Sequence, residues 1–399
     1  MNTNPVDASA PGPAGDRLKI LHVAETAKGG VGSYIDDVAS LQMARRGEMA
    51  VRVVLPDAHA LQLQRVPSAQ QRHFRAAAGK WGRLISTWRM VRVALAQMRE
   101  WQPDVVHLHS TFAGFALRPW LAMRASRPRL VYCSHGWAFD REGHAAANRV
   151  FEWVERVWSR WCDKVVCVSS HDLAAGQRIG IAPERLALVN NGIRDLDALA
   201  DVESARAHWP AGQRRVLFVG RLDRQKGVDL LYAALRRLEG QAFALIVGSP
   251  VVADDGLSAL PPNARIVGWL RRDQIAAYYA AADVVVISSR WEAFSLVAVE
   301  AMRAGCAVVA TAVGGLRDVV ADGVSGRLVE PEDAAALANA VRSLSEPELR
   351  AMGRAGRQRF EDHFRSDRVV DQLDLVYRNA RRREHAGLRR QQALDAPEP

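Results

Sequence analysis

The chain has 399 residues, about half of them apolar, with 54 Lys/Arg against 44 Asp/Glu and a net charge of +10. That length exceeds one ordinary hydrophobic core and suits two or three, and no apolar run reaches the roughly 18 residues of a membrane-spanning helix; the richest, 276–289, is interrupted by Asp283. Four cysteines without C-x-x-C spacing (Cys133, Cys162, Cys167, Cys306) favour core packing in a reducing compartment over disulfides or zinc.

Residues 1–16 have neither the basic nor the apolar region of a signal peptide and read as a disordered leader, so the expected location is cytoplasmic. Strand and helix signals then alternate. LKILHVAE (18–25) is a short apolar strand running into the glycine-rich turn AKGGVGS and an amphipathic run. VRVVLP (51–56) is a second strand. Over 72–101, Phe74, Ala77, Trp81, Leu84, Trp88, Val91, Leu95 and Met98 share one helical stripe. PDVVHLHS and RLVYCSHG are further strands, an aromatic helix follows with Phe151, Val154, Trp158 and Trp161 on one face, and KVVCVSS and LALVNNG complete the first half.

The polar stretch from 194 carries Pro210 and Gly212, and we place a linker at 199–213 between domains 17–198 and 214–366. The alternation restarts as RVLFVGR, a helix over 227–239, FALIVGSP, RIVGWL, a helix over 273–281, DVVVISS, a helix over 296–305 and CAVVATAVGG. Nearly continuous apolar strands between helices imply parallel sheets covered on both faces. The expected fold class is therefore α/β, with two doubly wound Rossmann-like domains facing across a cleft. A helix over 367–385 is expected to brace the first domain, ahead of a disordered tail over 386–399. In such sheets ligands sit beyond the carboxyl ends of strands, so the loops there hold the candidate residues.

In the second half, Arg221 and Lys226 emerge at the end of RVLFVG, and Glu292 follows DVVVISS on a loop that opens the 296–305 helix. The free N–H groups of that helix start, an arginine fork and a lysine charge make a cradle for a diphosphate. Glu300, one turn into the helix, suits a ribose diol, and Glu292 suits sugar hydroxyls. The competing reading is two surface salt bridges joining Arg221 and Lys226 to the glutamates.

GRLDRQKG (220–227), EAFSLVAVEAMRAG (292–305), TAVGGLRDVV (311–320) and GVSGRLV (323–329) resemble, in order and spacing, the retaining nucleotide-sugar glycosyltransferases of the GT-B fold, family four. The resemblance spans roughly 17–380. It implies that Arg221 and Lys226 hold the donor diphosphate, that Glu292 touches the donor sugar and Glu300 the ribose, and that Phe294, Ser295, Leu296 and Val297 offer backbone N–H groups to the phosphates. Two positions depart from the family pattern: Ala293 stands where glycine is common and Ala307 where proline is common.

The first-domain loop is less specific, because Gly30 and Gly32 begin a G-x-G-x-x-G spacing that Ile35 ends. The resemblance places Gly29 and Gly30 at the cleft and His135, after RLVYCS, against the donor sugar. His107 and His109 share one strand face, which with His135 makes a three-histidine metal site conceivable. The family needs no metal and no cofactor beyond its nucleotide-sugar donor, and we expect none. Trp269 is a candidate to flank the nucleobase, with core packing as the alternative.

Residues 65–101 carry eight basic residues against Glu100 alone. Arg72, Arg75, Lys80, Arg83, Arg89, Arg92 and Arg99 around Trp81 and Trp88 suit an anionic membrane surface, the alternative being a core-facing stripe with a solvated basic face. Nucleic acid is not expected, since no reading module is present. The expected function is retaining, metal-independent hexosyl transfer from a nucleotide-diphosphate sugar to a carbohydrate or lipid-linked hydroxyl in exopolysaccharide, capsule or envelope synthesis, at the inner face of the membrane. The rivals are a GT-B nucleotide-sugar epimerase or hydrolase, and a non-catalytic nucleotide-sugar-binding subunit. The pattern fixes no oligomeric state.

Overall fold

A computed structural model describes residues 18–79, 81–124, 127–142, 144–196, 201–249 and 259–394. Its first sheet contains β1 (Ile20–Ala24), β2 (Val51–Pro56), β3 (Gln71–Phe74), β4 (Val105–His109), β5 (Arg129–Cys133), β6 (Lys164–Cys167) and β7 (Leu186–Leu188), in the order β3-β2-β1-β4-β5-β6-β7. The second contains β8 (Arg214–Val219), β9 (Ala242–Val247), β10 (Ala264–Gly268), β11 (Val284–Ile287), β12 (Ala307–Thr311) and β13 (Gly326–Val329), in the order β10-β9-β8-β11-β12-β13. Every ladder between these strands is parallel. Central strands such as β1, β4 and β12 are buried along their whole length, as helices on both faces require. All four cysteines are free and buried.

Strand order reverses at β1/β4 in one sheet and at β8/β11 in the other, which marks the crevice where ligands bind in such sheets. The two domains are joined side by side where the chain crosses twice. Ile193 and Arg365 form a parallel bridge, with Ile193 N donating to Phe364 O at 2.9 Å and Ser366 N to Ile193 O at 3.0 Å. A Cβ at Gly192 would come within 2.5 Å of Phe364 O, so the Asn191–Gly192 turn permits this crossing.

The final helix, Ser366–Leu394, lies along helix Gly30–Arg46 of the first domain, tied by Arg45–Asp371 and Arg46–Asp374, both at 2.6 Å. It continues past 385, so 386–394 is helical where a disordered tail was expected, while 395–399 and the leader lie outside the described residues. Of the expected linker, 199–200 lie outside the described residues. Its remainder packs on the second domain: helix Val202–Arg206 rests on helix Arg272–Ala281, and buried Trp209 donates its Nε1 to Val216 O at 3.1 Å.

The 72–101 expectation needs a larger correction. Gln71–Phe74 is an edge strand paired with Val53–Pro56, and the helix is Gly82–Trp101. The apolar stripe is real from Trp81 to Met98, but only its C-terminal half meets the core. Leu95 and Met98 are buried, whereas Trp81 (64% exposed), Leu84 and Trp88 (57%) overhang into solvent. Arg92 stacks on Trp88 at 4.7 Å, and the adjoining helix Thr111–Ala122 adds exposed Trp120. A wholly core-facing stripe is therefore excluded. Lys80 lies outside the described residues.

Candidate functional site

Loops leaving β8 and β11 are laced together. Gly227 caps the following helix with φ of 61°, a left-handed conformation, and a Cβ there would meet Ser288 O at 2.0 Å; only glycine fits. Ser288 Oγ donates to Lys226 O at 2.9 Å and Arg290 N to Gln225 O at 2.8 Å. This brings the Lys226 ammonium onto Glu292, where it donates to Oε1, and Ser289 Oγ donates to the same oxygen at 3.0 Å. Glu292 is buried, with 8% exposure, and a carboxylate so placed needs such partners.

The salt-bridge alternative is thus half realised, and inside the cleft rather than on the surface. Among the described residues, Arg221 pairs with no glutamate. It is exposed, its Nη2 donating to Gln225 Oε1 at 2.6 Å and lying 3.1 Å from Asp223. Glu300 accepts from the Tyr279 hydroxyl through Oε2 at 2.7 Å, and burial pushes that hydroxyl's pKa well up.

The loop Glu292–Ser295 is fixed from behind by the turn after β12. Gly315 N donates to Glu292 O at 2.9 Å, and a Cβ at Gly314 would sit 2.0 Å from that carbonyl. Ala293 is not among the positive-φ residues, so alanine replaces the family's glycine without backbone strain. Its methyl instead faces Gly136, where a Cβ would approach to 2.7 Å. Ser295 caps helix Leu296–Arg303 by accepting from Ala298 N at 3.4 Å, and Phe294 is buried edge-on to Phe364 with ring centroids 5.8 Å apart. Val297 lies in the first turn, and Leu296 reaches across the cleft to Gly30, whose Cβ would lie 3.2 Å from it. Beside Gly30, Gly29 takes φ of 59° ahead of helix Gly30–Arg46.

Trp269 is 57% exposed beyond β10, its Nε1 donating to Ser249 Oγ at 2.7 Å, so core packing does not explain it. The domains also touch at the cleft rim, where Ser170 bonds Asp318 and Arg224 pairs with Glu142 at 2.7 Å.

On the first-domain side, His135 lies two residues beyond β5 with φ of 55° and Ser110 follows β4 with φ of 80°, two strained non-glycine conformations after neighbouring strands. Behind His135 runs a buried chain. His135 Nε2 meets His109 Nδ1 at 2.9 Å, His109 Nε2 meets His22 Nδ1 at 2.9 Å, and His22 Nε2 meets Gln42 Oε1 at 2.8 Å. His107 Nδ1 meets the Tyr377 hydroxyl of the final helix at 2.8 Å. Burial pushes His22 and His135 down to about 4 and His107 and His109 well below the usual imidazole range, so all four are neutral near pH 7. The three-histidine set that converges to within 4.8 Å is His22, His107 and His109, rather than one including His135. Sequence reasoning missed His22, Gln42 and Tyr377. His22 was visible as a polar residue amid an apolar strand; the other two depend on helix packing.

Among the described residues, no helix is long and apolar enough to cross a membrane. Two family models match the chain in tandem: Glycosyltransferase Family 4 over residues 28–195 and Glycosyl transferases group 1 over residues 201–359. A D-inositol 3-phosphate glycosyltransferase of Geodermatophilus obscurus is 31% identical over 417 residues, covering 94% of this chain and 87% of that protein. An uncharacterised 41.2 kDa protein in the cps region of Klebsiella pneumoniae is 27% identical over 370 residues, covering 91% of this chain and all of the relative. Among solved structures, the sucrose-phosphate synthase of Thermosynechococcus elongatus superposes with a TM-score of 0.76 at 25% identity, over 90% of this chain and 98% of the other.

Proposed function

Since the chain belongs to the group 1, family 4 glycosyltransferases, we propose that it moves a hexosyl group from a nucleotide-diphosphate sugar to a hydroxyl acceptor with retention of anomeric configuration. The observation that carries this reading is the meeting of Lys226 and Glu292 at the cleft floor, with Arg221 at one side and the N-terminus of helix Leu296–Arg303 at the other. Lys226, Arg221 and the backbone N–H groups of Phe294–Val297 bind the diphosphate. Glu300, already oriented by Tyr279, accepts from the ribose diol. Glu292 orients the donor sugar, His135 contacts it from the first domain, and Trp269 flanks the base.

In the reaction the bond between the anomeric carbon and the diphosphate oxygen breaks. The acceptor oxygen bonds to that carbon on the same face, and its proton passes to the departing phosphate. Charge grows on the phosphate oxygens as the bond breaks, and pre-placed cations lower that barrier without reorganising. No metal or other cofactor is required by this scheme.

The acceptor is a carbohydrate or lipid-linked precursor of a surface polysaccharide, a reading supported by the cps-region relative. Trp81, Leu84 and Trp88, overhanging among Arg83, Arg89 and Arg92, suit docking on an anionic membrane from the cytoplasmic side. The test incubates the protein with nucleotide sugars, with and without lipid-diphosphate-linked acceptors, and follows nucleotide release and the anomeric configuration by NMR. Acceptor-dependent release with retention supports transfer; equal release without acceptor supports hydrolysis or epimerisation instead.

A further inference from the structure

Four histidines stand in or at the ends of strands that are otherwise apolar, and three of them have no exposed surface. Burying an imidazole without hydrogen-bond partners is costly, yet the sequence accepts that burden at His22, His107 and His109. A neutral imidazole has one donor nitrogen and one acceptor nitrogen, so a chain of them has a direction. Gln42 Oε1 can only accept, which places the proton of His22 on Nε2 and leaves its Nδ1 to accept from His109 Nε2–H. His109 Nδ1 then accepts from His135 Nε2–H. The remaining ring nitrogen, Nδ1 of His135, carries a lone pair and has no partner among the described residues.

We propose that Gln42, His22 and His109 are positioning residues that lock His135 as its neutral Nε2–H tautomer, leaving Nδ1 as a hydrogen-bond acceptor for a hydroxyl group of the bound donor. Only the last clause rests on the proposed function; the tautomer relay stands on the geometry of the protein alone. Three features support it. The left-handed backbone at His135 and Ser110 fixes both strand ends at which the relay emerges. Burial keeps every ring neutral, so one proton per ring is maintained near pH 7. The far end is closed by the last helix, whose Tyr377 holds His107 beside the relay. Metal binding at His22, His107 and His109 is the competing use. It would break the His22–His109 bond, since both nitrogens of each ring are already engaged, and only His107 Nε2 in that group is without a hydrogen-bond partner among the described residues.

The test is a two-bond 1H–15N spectrum of the full chain labelled at histidine, with Gln42→Leu and Gln42→Glu beside the wild type. The wild type is expected to show His22, His109 and His135 as Nε2–H tautomers at pH 7. Gln42→Leu removes the terminal acceptor and is expected to mix the His135 tautomers, with a loss of about tenfold in kcat/KM, the lower end for removing an orienting partner. Gln42→Glu keeps an acceptor while its carboxylate is ionised and His22 is neutral, and is expected to retain the wild-type tautomer only at pH values above the proton uptake that the new carboxylate promotes at His22. An Nδ1–H tautomer at His135 in the wild type would overturn the proposal, as would stoichiometric zinc in the purified protein. So would a Gln42→Leu spectrum unchanged at His135. Because the spectrum needs no donor, locked tautomers in a protein that turns over no nucleotide sugar would keep the relay and sink the functional reading alone.

Discussion

Lys226 and Glu292, 66 positions apart in sequence, form an ion pair at the floor of the interdomain cleft, with the lysine 18% and the glutamate 7% exposed at their side chains. The pair explains how a carboxylate tolerates burial. It also means that, on the proposed function, the lysine that meets a phosphate is held in place before the phosphate arrives, which is where electrostatic stabilisation is most effective.

Lys226→Ala leaves Glu292 with Ser289 alone. Turnover is expected to fall by about a hundredfold or more, the scale of losing one pre-placed transition-state partner, while donor KM moves much less. Stability is expected to fall by about 2–3 kcal/mol, below the full cost of breaking a completely buried pair because the lysine retains some solvent contact. In a Glu292→Gln background the same substitution should cost clearly less stability, and denaturant unfolding of the four proteins measures that coupling.

Glu300→Gln keeps the shape but removes the charge that the proposed function sets opposite a ribose. Donor affinity is expected to drop about tenfold, in line with a charge-assisted hydrogen bond worth roughly 1.4 kcal/mol more than a neutral one. Titration calorimetry with the nucleotide diphosphate alone checks this, because the proposed contact is to the ribose and not to the transferred sugar.

Gly227→Ala puts a methyl on a left-handed residue and within 2.0 Å of Ser288 O. A loss of about 2 kcal/mol or more is expected from strain and overpacking together, seen as a lower urea midpoint with an unchanged slope.

The buried histidines make stability depend on pH in one direction. Folding holds His22 and His135 near 4, below their ordinary value of 6.5, so below pH 6.5 the unfolded chain binds more protons. The contribution of these histidines is therefore expected to be level above about pH 6.5 and to decline as the pH falls from there toward 4, while buried Asp172, held up at about 7, acts in the opposite sense. Urea unfolding at pH 7.5, 6 and 5 of Asp172→Asn beside Asp172→Asn/His22→Gln separates the two; equal pH dependence in both would contradict the neutral, buried relay.

Replacing Trp81 and Trp88 by serine is expected to weaken binding to anionic vesicles at least tenfold while leaving transfer to a soluble acceptor unchanged, as interfacial anchoring by tryptophan would give. Sedimentation with phosphatidylglycerol vesicles, at low and high salt, reads both the apolar and the charged contribution.

The alternation of apolar strands with helices made the two sheets legible, because parallel strands buried on both faces leave continuous apolar runs. The second-domain motifs were equally readable, since Arg221, Lys226, Glu292 and Glu300 sit at strand ends and one helix start. What the sequence hid depends on pairing. Gln71–Phe74 carries two polar residues and a histidine, so its strand character comes only from pairing with β2. The outward overhang of Trp81 and Trp88 depends on where the helix leaves the core. The accommodation of Ala293 opposite Gly136 needs both domains in place, and the seating of Tyr377 on His107 needs the final helix docked on the first domain.

The most direct test is thermal unfolding with UDP-, GDP- and ADP-sugars, wild type beside Glu300→Gln. A donor at 100 times its Kd adds about 2.7 kcal/mol to stability, a readily measured rise in Tm. The expected result is a rise with one nucleotide that is largely lost in the variant, placing a nucleotide sugar at Glu300. A rise of equal size in wild type and variant, or none with any donor, would contradict the assignment of this cleft.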